Sequence, residues 1–225
     1  MASSKKTPVL SDTPVLPDFI IMGTQKGGTT EIAHQLNRHK HLCLKPVEAH
    51  DYHAVTQDEV GASESHYYDN DKKQDLTHLL AYCNELQSLK HEKEVIADHK
   101  VLVGDKTPIY MYLPVCSMRI KQRYNQYNGG ILPKMIITLR NPIDRARSQY
   151  CMICVSNKDK PPRGYTFVEE IKYRLSTKQR DPNNMCAFLD RGLYSKQLND
   201  IKRIMKLTTS DKINQHLCVV FLEDD

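Results

Sequence analysis

The 225-residue sequence contains no tryptophan and only four phenylalanines against twelve tyrosines, so most of its aromatic rings carry a hydroxyl. Long apolar runs are also missing. Runs such as Met135-Ile136-Ile137 and Cys218 to Leu222 are about one strand in length, far short of the roughly 18 to 20 residues a membrane-spanning helix needs. The start, Met1 to Lys6, runs into Pro8, Pro14 and Pro17 without the apolar stretch of a secretory signal. Charge of one sign is in small excess only. The 32 Lys and Arg against 27 Asp and Glu leave +5, with a pI near 8.7, which excludes a polybasic nucleic-acid binder. Nine glycines and eleven prolines exclude collagen-like or low-complexity character. The seven cysteines have no regular spacing; an odd number behind a signal-free start points to reduced thiols in a cytosol-like compartment. Cys151-Met152-Ile153-Cys154 has redox spacing but no strand-to-helix turn just before it, which weighs against a redox role.

What is present is enough for one core: 40% of the residues are hydrophobic, and no internal repeat divides the chain. Residues 1–17 read as a flexible lead-in and 18–225 as a single α/β domain. Phe19-Ile20-Ile21-Met22, bounded by Pro17-Asp18 and Gly23, reads as a buried strand. It is followed by Gly23-Thr24-Gln25-Lys26-Gly27-Gly28-Thr29-Thr30 and then by Ile32, Ala33 and Leu36 at helical spacing. Strand grammar recurs at Val101-Leu102-Val103, at Met135 to Leu139 and at Leu217 to Leu222. Helical patterns lie between, including Leu76-Leu79-Leu80 and Leu189-Leu193-Leu198-Ile201-Ile204-Met205. Apolar strands alternating with helices predict a three-layer α/β fold with a central parallel β-sheet covered on both faces, and ligands beyond the carboxyl ends of its strands. The polar stretch 51–75, which holds Tyr67-Tyr68, and the basic, proline-broken stretch 155–165 read as insertions or rims.

A glycine-rich loop between a buried strand and a helix aims backbone N–H groups at one point, where the helix dipole also favours an anion. Gly23 to Thr30 is therefore a phosphate-type cradle. In a Walker A loop the lysine follows the last glycine and precedes Ser or Thr; here Lys26 precedes Gly27-Gly28, and Thr29-Thr30 stand where that lysine would be. With no clear apolar strand ending in Asp to hold magnesium, a P-loop nucleotide or small-molecule kinase is the second reading, and a non-catalytic nucleotide- or glycan-binding remnant the third. Arg140 offers a forked oxyanion donor, and Pro142 starts a helix that carries Ser148 two turns along.

The order Gly-Thr-Gln-Lys-Gly-Gly-Thr-Thr resembles the 5′-phosphosulfate loop of sulfotransferases that use 3′-phosphoadenylyl sulfate (PAPS). Arg140-Asn141-Pro142 with Ser148 resembles that family's 3′-phosphate element, and Gly104-Asp105-Lys106-Thr107-Pro108-Ile109-Tyr110 is similar to a segment of its carbohydrate branch, the heparan sulfate glucosaminyl type. Asp190-Arg191-Gly192-Leu193-Tyr194 looks like that branch's Gly-Leu-Tyr helix start. The resemblance implies a P-loop-like sulfotransferase fold, transfer of a sulfuryl group to a hydroxyl or amine of a carbohydrate or glycan acceptor, and release of 3′,5′-adenosine bisphosphate without a metal; the basic stretch near Lys158 to Arg163 would suit an anionic glycan. It further implies donor binding by Lys26, Gly27, Gly28, Thr29, Thr30, Arg140 and Ser148. Glu48 would be the base with His50 orienting it, Lys26 would meet the leaving oxygen, and Lys106 the sulfonate from the acceptor side. The family continues past the strand matched by Leu217 to Leu222 with a further basic glycine loop, so the chain reads as a fragment or a shortened member. Its compartment reads as cytoplasmic, or as the Golgi lumen for a fragment.

Overall fold

The computed structural model describes residues 14–45, 64–156, 164–177 and 187–222. Five strands, β1 (Phe19–Gly23), β2 (Leu42–Leu44), β3 (Leu102–Lys106), β4 (Lys134–Leu139) and β5 (Leu217–Phe221), form one sheet in the order β2-β3-β1-β4-β5. Every pairing is parallel. Among the described residues seven α-helices accompany them: α1 (Thr29–Arg38), α2 (Leu76–Ala97), α3 (Pro114–Tyr127), α4 (Pro142–Ser156), α5 (Phe167–Thr177), α6 (Tyr194–Met205) and α7 (Ser210–His216). This is the three-layer α/β architecture expected.

All five residues of β1 are buried because both faces of the sheet are covered. Phe19 and Ile21 point to one face, where Ile32, Ala33 and Leu36 of α1 meet them together with Leu44. Ile20 and Met22 point to the other face and join Leu79, Tyr82 and Leu86 of α2, Ile120 and Tyr124 of α3, and Ile201 and Met205 of α6. Each fully buried aliphatic side chain of β1 contributes roughly 1.5 to 3 kcal/mol, so the central strand is fixed by packing on two sides. A parallel sheet places all its strand carboxyl ends on one edge, and β1, β3 and β4, the three central strands, present theirs side by side.

Three expectations change. Leu16, within the stretch read as a lead-in, is buried in the larger core, and the Tyr124 hydroxyl donates to the carbonyl of Pro17, so packed chain begins before Asp18. Tyr67 and Tyr68 are not on a rim: they are 1% and 0% exposed. Tyr67 stacks on Tyr82 with ring centroids 4.4 Å apart, and Tyr68 meets Tyr82 and Tyr110 edge-on, contacts that offset the cost of burying hydroxylated rings. The apolar spacing read from Leu189 as one helix holds only from Tyr194. Residues 190–192 form a 3₁₀ turn and Leu193 leaves helical geometry at φ −80°, ψ 62°. No helix among the described residues is long and apolar enough to cross a membrane.

Candidate active site at the carboxyl edge of the sheet

The loop after β1 is tied to the end of β4. Thr24 N donates to Thr138 O at 2.9 Å, and Thr138 Oγ1 donates to Gly23 O at 3.2 Å. Gly27 N closes the turn on Thr24 O at 2.8 Å, and a Cβ at Gly27 would lie 2.9 Å from both Thr138 O and Thr24 O. No side chain fits there without moving backbone. Lys26 adopts φ +63° and Gly28 φ +81°; the left-handed conformation costs a non-glycine residue roughly 1 to 2 kcal/mol, which this frame of hydrogen bonds sustains. Gly28 is the N-cap of α1 and brings no side chain to cap the helix. The first-turn amides at Thr29 and Thr30 have no acceptor within the helix, the arrangement that favours an anion at a helix start. Thr29 is buried, and Lys26 and Thr30 are half-buried.

Arg140 follows β4 immediately, half-buried at the same edge. Asn141 caps the next helix by accepting from Ile143 N at 2.9 Å, and Pro142 opens α4 as the sequence predicts. Ser148 lies two turns along α4 and is half-buried. The Tyr194 hydroxyl, at the first position of α6, donates to Arg140 O at 2.9 Å. The 3₁₀ turn just before it supplies Arg191, whose guanidinium donates to the Gln25 side chain of the first loop and lies 5.0 Å from the centre of the Tyr112 ring. One segment thus touches both the Lys26 loop and the Arg140 turn.

On the other side of β1, Lys106 ends β3 in register with Ile21 and so shares the α1 face of the sheet. It is 6% exposed, and its ammonium lies 3.3 Å from Glu64 Oε1. The second oxygen of Glu64 is 3.1 Å from His66 Nε2, and His66 Nδ1 is 2.9 Å from Asp69 Oδ2. The result is a chain of alternating charge, Lys106, Glu64, His66, Asp69. The hydrogen bond to Asp69 and then that to Glu64 push the His66 imidazole up to about 10. Burial opposes ionisation of Glu64, but the hydrogen bond from His66 and the Lys106 charge outweigh it and hold the carboxyl below its ordinary range. Both groups are therefore ionised at neutral pH.

Asp105 points to the opposite face. It is 4% exposed and accepts from Ser65 Oγ at 2.9 Å, Tyr82 OH at 3.0 Å and Tyr110 OH at 3.3 Å. Burial raises its pKa, against the pull of these hydroxyls. Tyr110 OH also accepts from the backbone N–H groups of Tyr67 and Tyr68, each at 3.1 Å. The tyrosine cluster thus anchors segment 64–69, and with it Glu64 and His66, to the end of β3.

Lys26, Gly27, Gly28, Thr29, Thr30, Arg140 and Lys106 accordingly share one edge of the sheet, with Ser148 farther along α4. Glu48 and His50 lie outside the described residues, as does most of the basic stretch 155–165. Among the described residues no group of three His, Cys, Asp or Glu side chains is placed to hold a metal ion. An apolar cavity of about 940 Å³, lined by Pro142, Ile143, Ala146, Phe167 and Phe188 among others, opens beside α4 and includes no residue of the Lys26 loop.

No protein-family model matches the chain. Among curated proteins it is similar to the membrane-associated sulfotransferase kil1 of Dictyostelium discoideum, 29% identical over 154 residues that make up 68% of this chain and 26% of that one. The chain spans about a quarter of the length of this relative. Among solved structures, the crystal structure of a sulfotransferase from Alicyclobacillus acidocaldarius superposes with a TM-score of 0.57 at 19% identity, over 92% of this chain and 73% of that one. The fold is that of the sulfotransferases. The curated relative it resembles is likewise named a sulfotransferase. A sulfotransferase domain from the curacin biosynthetic pathway matches more remotely, with a TM-score of 0.41 at 16% identity over 92% of this chain and 67% of that one.

Within this sulfotransferase fold, sequence reasoning missed Glu64, His66 and Arg191. The first two carried a readable signal: Glu64-Ser65-His66 repeats the Glu-x-His spacing of Glu48-Ala49-His50 and stands directly before Tyr67-Tyr68. A paired aromatic in a polar stretch marks a place where the chain dips into the core. Arg191 had only weak local signals, because its partners Gln25 and Tyr112 lie 166 and 79 positions away.

Proposed function

We propose that the chain transfers a sulfuryl group from PAPS to a hydroxyl or amine of an acceptor, with a carbohydrate as the acceptor class. The observation that carries this reading is the side-by-side placement of the Lys26 loop and the Arg140 turn at the carboxyl ends of adjacent strands, joined by the Thr24 to Thr138 hydrogen bond of 2.9 Å. Two anion-binding elements on one edge suit a ligand that carries an anion at each end. The donor set fits such a group: a glycine whose Cβ would fill the cradle, uncapped helix amides, one lysine and one forked guanidinium. When bound, PAPS supplies the sulfuryl group and a good leaving oxygen.

The chain's own residues then act by position and charge. Lys26 and the amides of Gly27, Gly28, Thr29 and Thr30 hold the 5′ end and offset negative charge that grows there. Arg140, with Ser148, holds the 3′-phosphate. Lys106 faces the sulfonate from the acceptor side. Glu64, ionised at neutral pH, takes the proton from the acceptor hydroxyl or amine. His66⁺ orients Glu64 through its Nε2 hydrogen bond and is itself held by Asp69. Glu64 takes the base role in this reading on the strength of its 3.3 Å contact with Lys106, and Glu48 is the carboxylate against which it is tested. The Lys106-Thr107-Pro108-Ile109-Tyr110 segment supports the carbohydrate branch.

The deciding measurement is calorimetric titration with 3′,5′-adenosine bisphosphate and, separately, with adenosine triphosphate and magnesium. Tighter binding of the bisphosphate, independent of magnesium, is expected. Preference for the triphosphate with magnesium would replace this reading by phosphoryl transfer. Bisphosphate binding without transfer of labelled sulfate to any glycan, amine or phenol would leave a nucleotide-binding remnant.

A further inference from the structure

Arg145, on the inner face of α4, is a fully buried cation at 0% exposure. Its Nη1 donates to Gln149 Oε1 at 2.7 Å and its Nη2 to the carbonyl of Phe188, while Nε has no acceptor among the described residues. Both partners are neutral. The ionisable groups nearest it are the neutral hydroxyls of Tyr194 and Tyr112 and a second cation, Arg191. Burial draws its pKa down to about 10, so it stays protonated at neutral pH. A guanidinium held out of water with no carboxylate beside it is unfavourable for the fold.

Its surroundings show where a balancing charge would come. Arg145 lies five residues beyond Arg140 and holds the carbonyl of Phe188. Three residues after Phe188, Arg191 reaches Gln25 of the Lys26 loop, and three further on, the Tyr194 hydroxyl holds Arg140 O at 2.9 Å. Segment 187–194 therefore runs between the two anion elements, with Arg145 directly behind it. Arg145 has no opening to solvent and acts through its field, which falls slowly with distance where water is excluded.

We propose that Arg145 is one half of a buried ion pair whose other half arrives with the ligand: the nucleotide held between the Lys26 loop and the Arg140 turn balances this charge, and Arg145 selects for the more highly charged nucleotide without touching it. The inference rests on the donor reading above and adds a specificity determinant to it.

The test titrates wild type, Arg145→Gln and Arg145→Lys with 3′,5′-adenosine bisphosphate and with adenosine 5′-monophosphate. Gln keeps a donor for Phe188 O and removes the charge; Lys keeps the charge and removes the fork. A field effect scales with ligand charge, so Arg145→Gln should weaken the bisphosphate roughly tenfold and the monophosphate only about threefold, with Arg145→Lys close to wild type. Equal losses for the two ligands, or no loss, overturn the proposal, and so does the same selective loss in Arg145→Lys, which would mark disturbance of segment 187–194 beside Arg140 rather than loss of charge. Should Arg145→Gln fail to fold, Arg145→Lys decides: retained bisphosphate affinity supports the proposal and a tenfold loss ends it. Failure of the donor reading is seen separately, as a wild type that does not bind the bisphosphate.

Discussion

The two sides of β1 are built differently. Toward β4, the Lys26 loop and the Arg140 turn are short contiguous stretches, each at the end of its own strand, each closed by a local hydrogen bond and the two tied together through Thr24 and Thr138. Toward β3, the charged chain from Lys106 to Asp69 is assembled from segments about forty positions apart and is held by tyrosines rather than by a turn motif. Anion binding needs backbone amides, which a loop supplies by itself. A positioned carboxylate needs a scaffold, which only tertiary packing supplies.

The sharpest way to break this comparison is Glu64→Gln. If the β3 side carries the chemistry, turnover falls by about 10² to 10⁴, the usual worth of a positioned base, while bisphosphate affinity stays within about twofold. Glu48→Gln made alongside should change turnover far less; the reverse ranking, measured with labelled donor, transfers the role to Glu48. Lys26→Ala tests the other side. A loss of about 10² to 10³ in turnover is expected from removing a cation aimed at developing charge, here with weakened donor binding as well. Unaltered binding in that variant would make Lys26 a solvated loop charge. A smaller effect is expected of Arg140→Ala, about 1.5 to 3 kcal/mol of donor affinity, the scale of a charged hydrogen bond. Titration of the bisphosphate against the monophosphate reads it directly, because only the ligand with a 3′-phosphate should suffer.

How much of this was legible in the sequence follows the same divide. The four strands read from apolar runs are present, because a buried parallel strand is a continuous apolar stretch that stands out in polar surroundings. The Lys26 loop and the Pro142 helix start are legible for the same reason: glycine order and proline position fix backbone geometry locally. Segment 64–69 was read as rim because its composition is polar, yet Tyr67 and Tyr68 are buried through partners on α2 and β3. The helix from Leu189 was read too long, since apolar spacing does not record that Arg191 is drawn to Gln25 and ends the periodicity there. Burial of Arg145 was equally hidden: an arginine in a helix reads as a surface charge until its neighbours are known.

The smallest effect concerns His66 and sharpens the claim that the β3 side is a linked set of charges. In the unfolded chain an imidazole titrates near 6.5, and in the fold Asp69 and Glu64 raise it to about 10. The folded state therefore holds its proton more tightly. The resulting stabilisation is complete below about pH 6.5 and is lost as pH rises toward 10. Because the His66 side chain is half-exposed, solvent screens the pairs and the total should stay below about 1 kcal/mol. Melting temperatures of wild type and His66→Gln, compared from pH 6 to pH 10, should differ most at the acid end and converge at the alkaline end. Turnover should show no step near pH 6.5, where a free imidazole would change charge, and should decline on the acid side only when Glu64 itself is protonated. A turnover step near pH 6.5 that disappears in His66→Gln would mean that the imidazole titrates normally. The network would then be four charges that do not act as a set, and Glu64 would lose the partner that holds it in place.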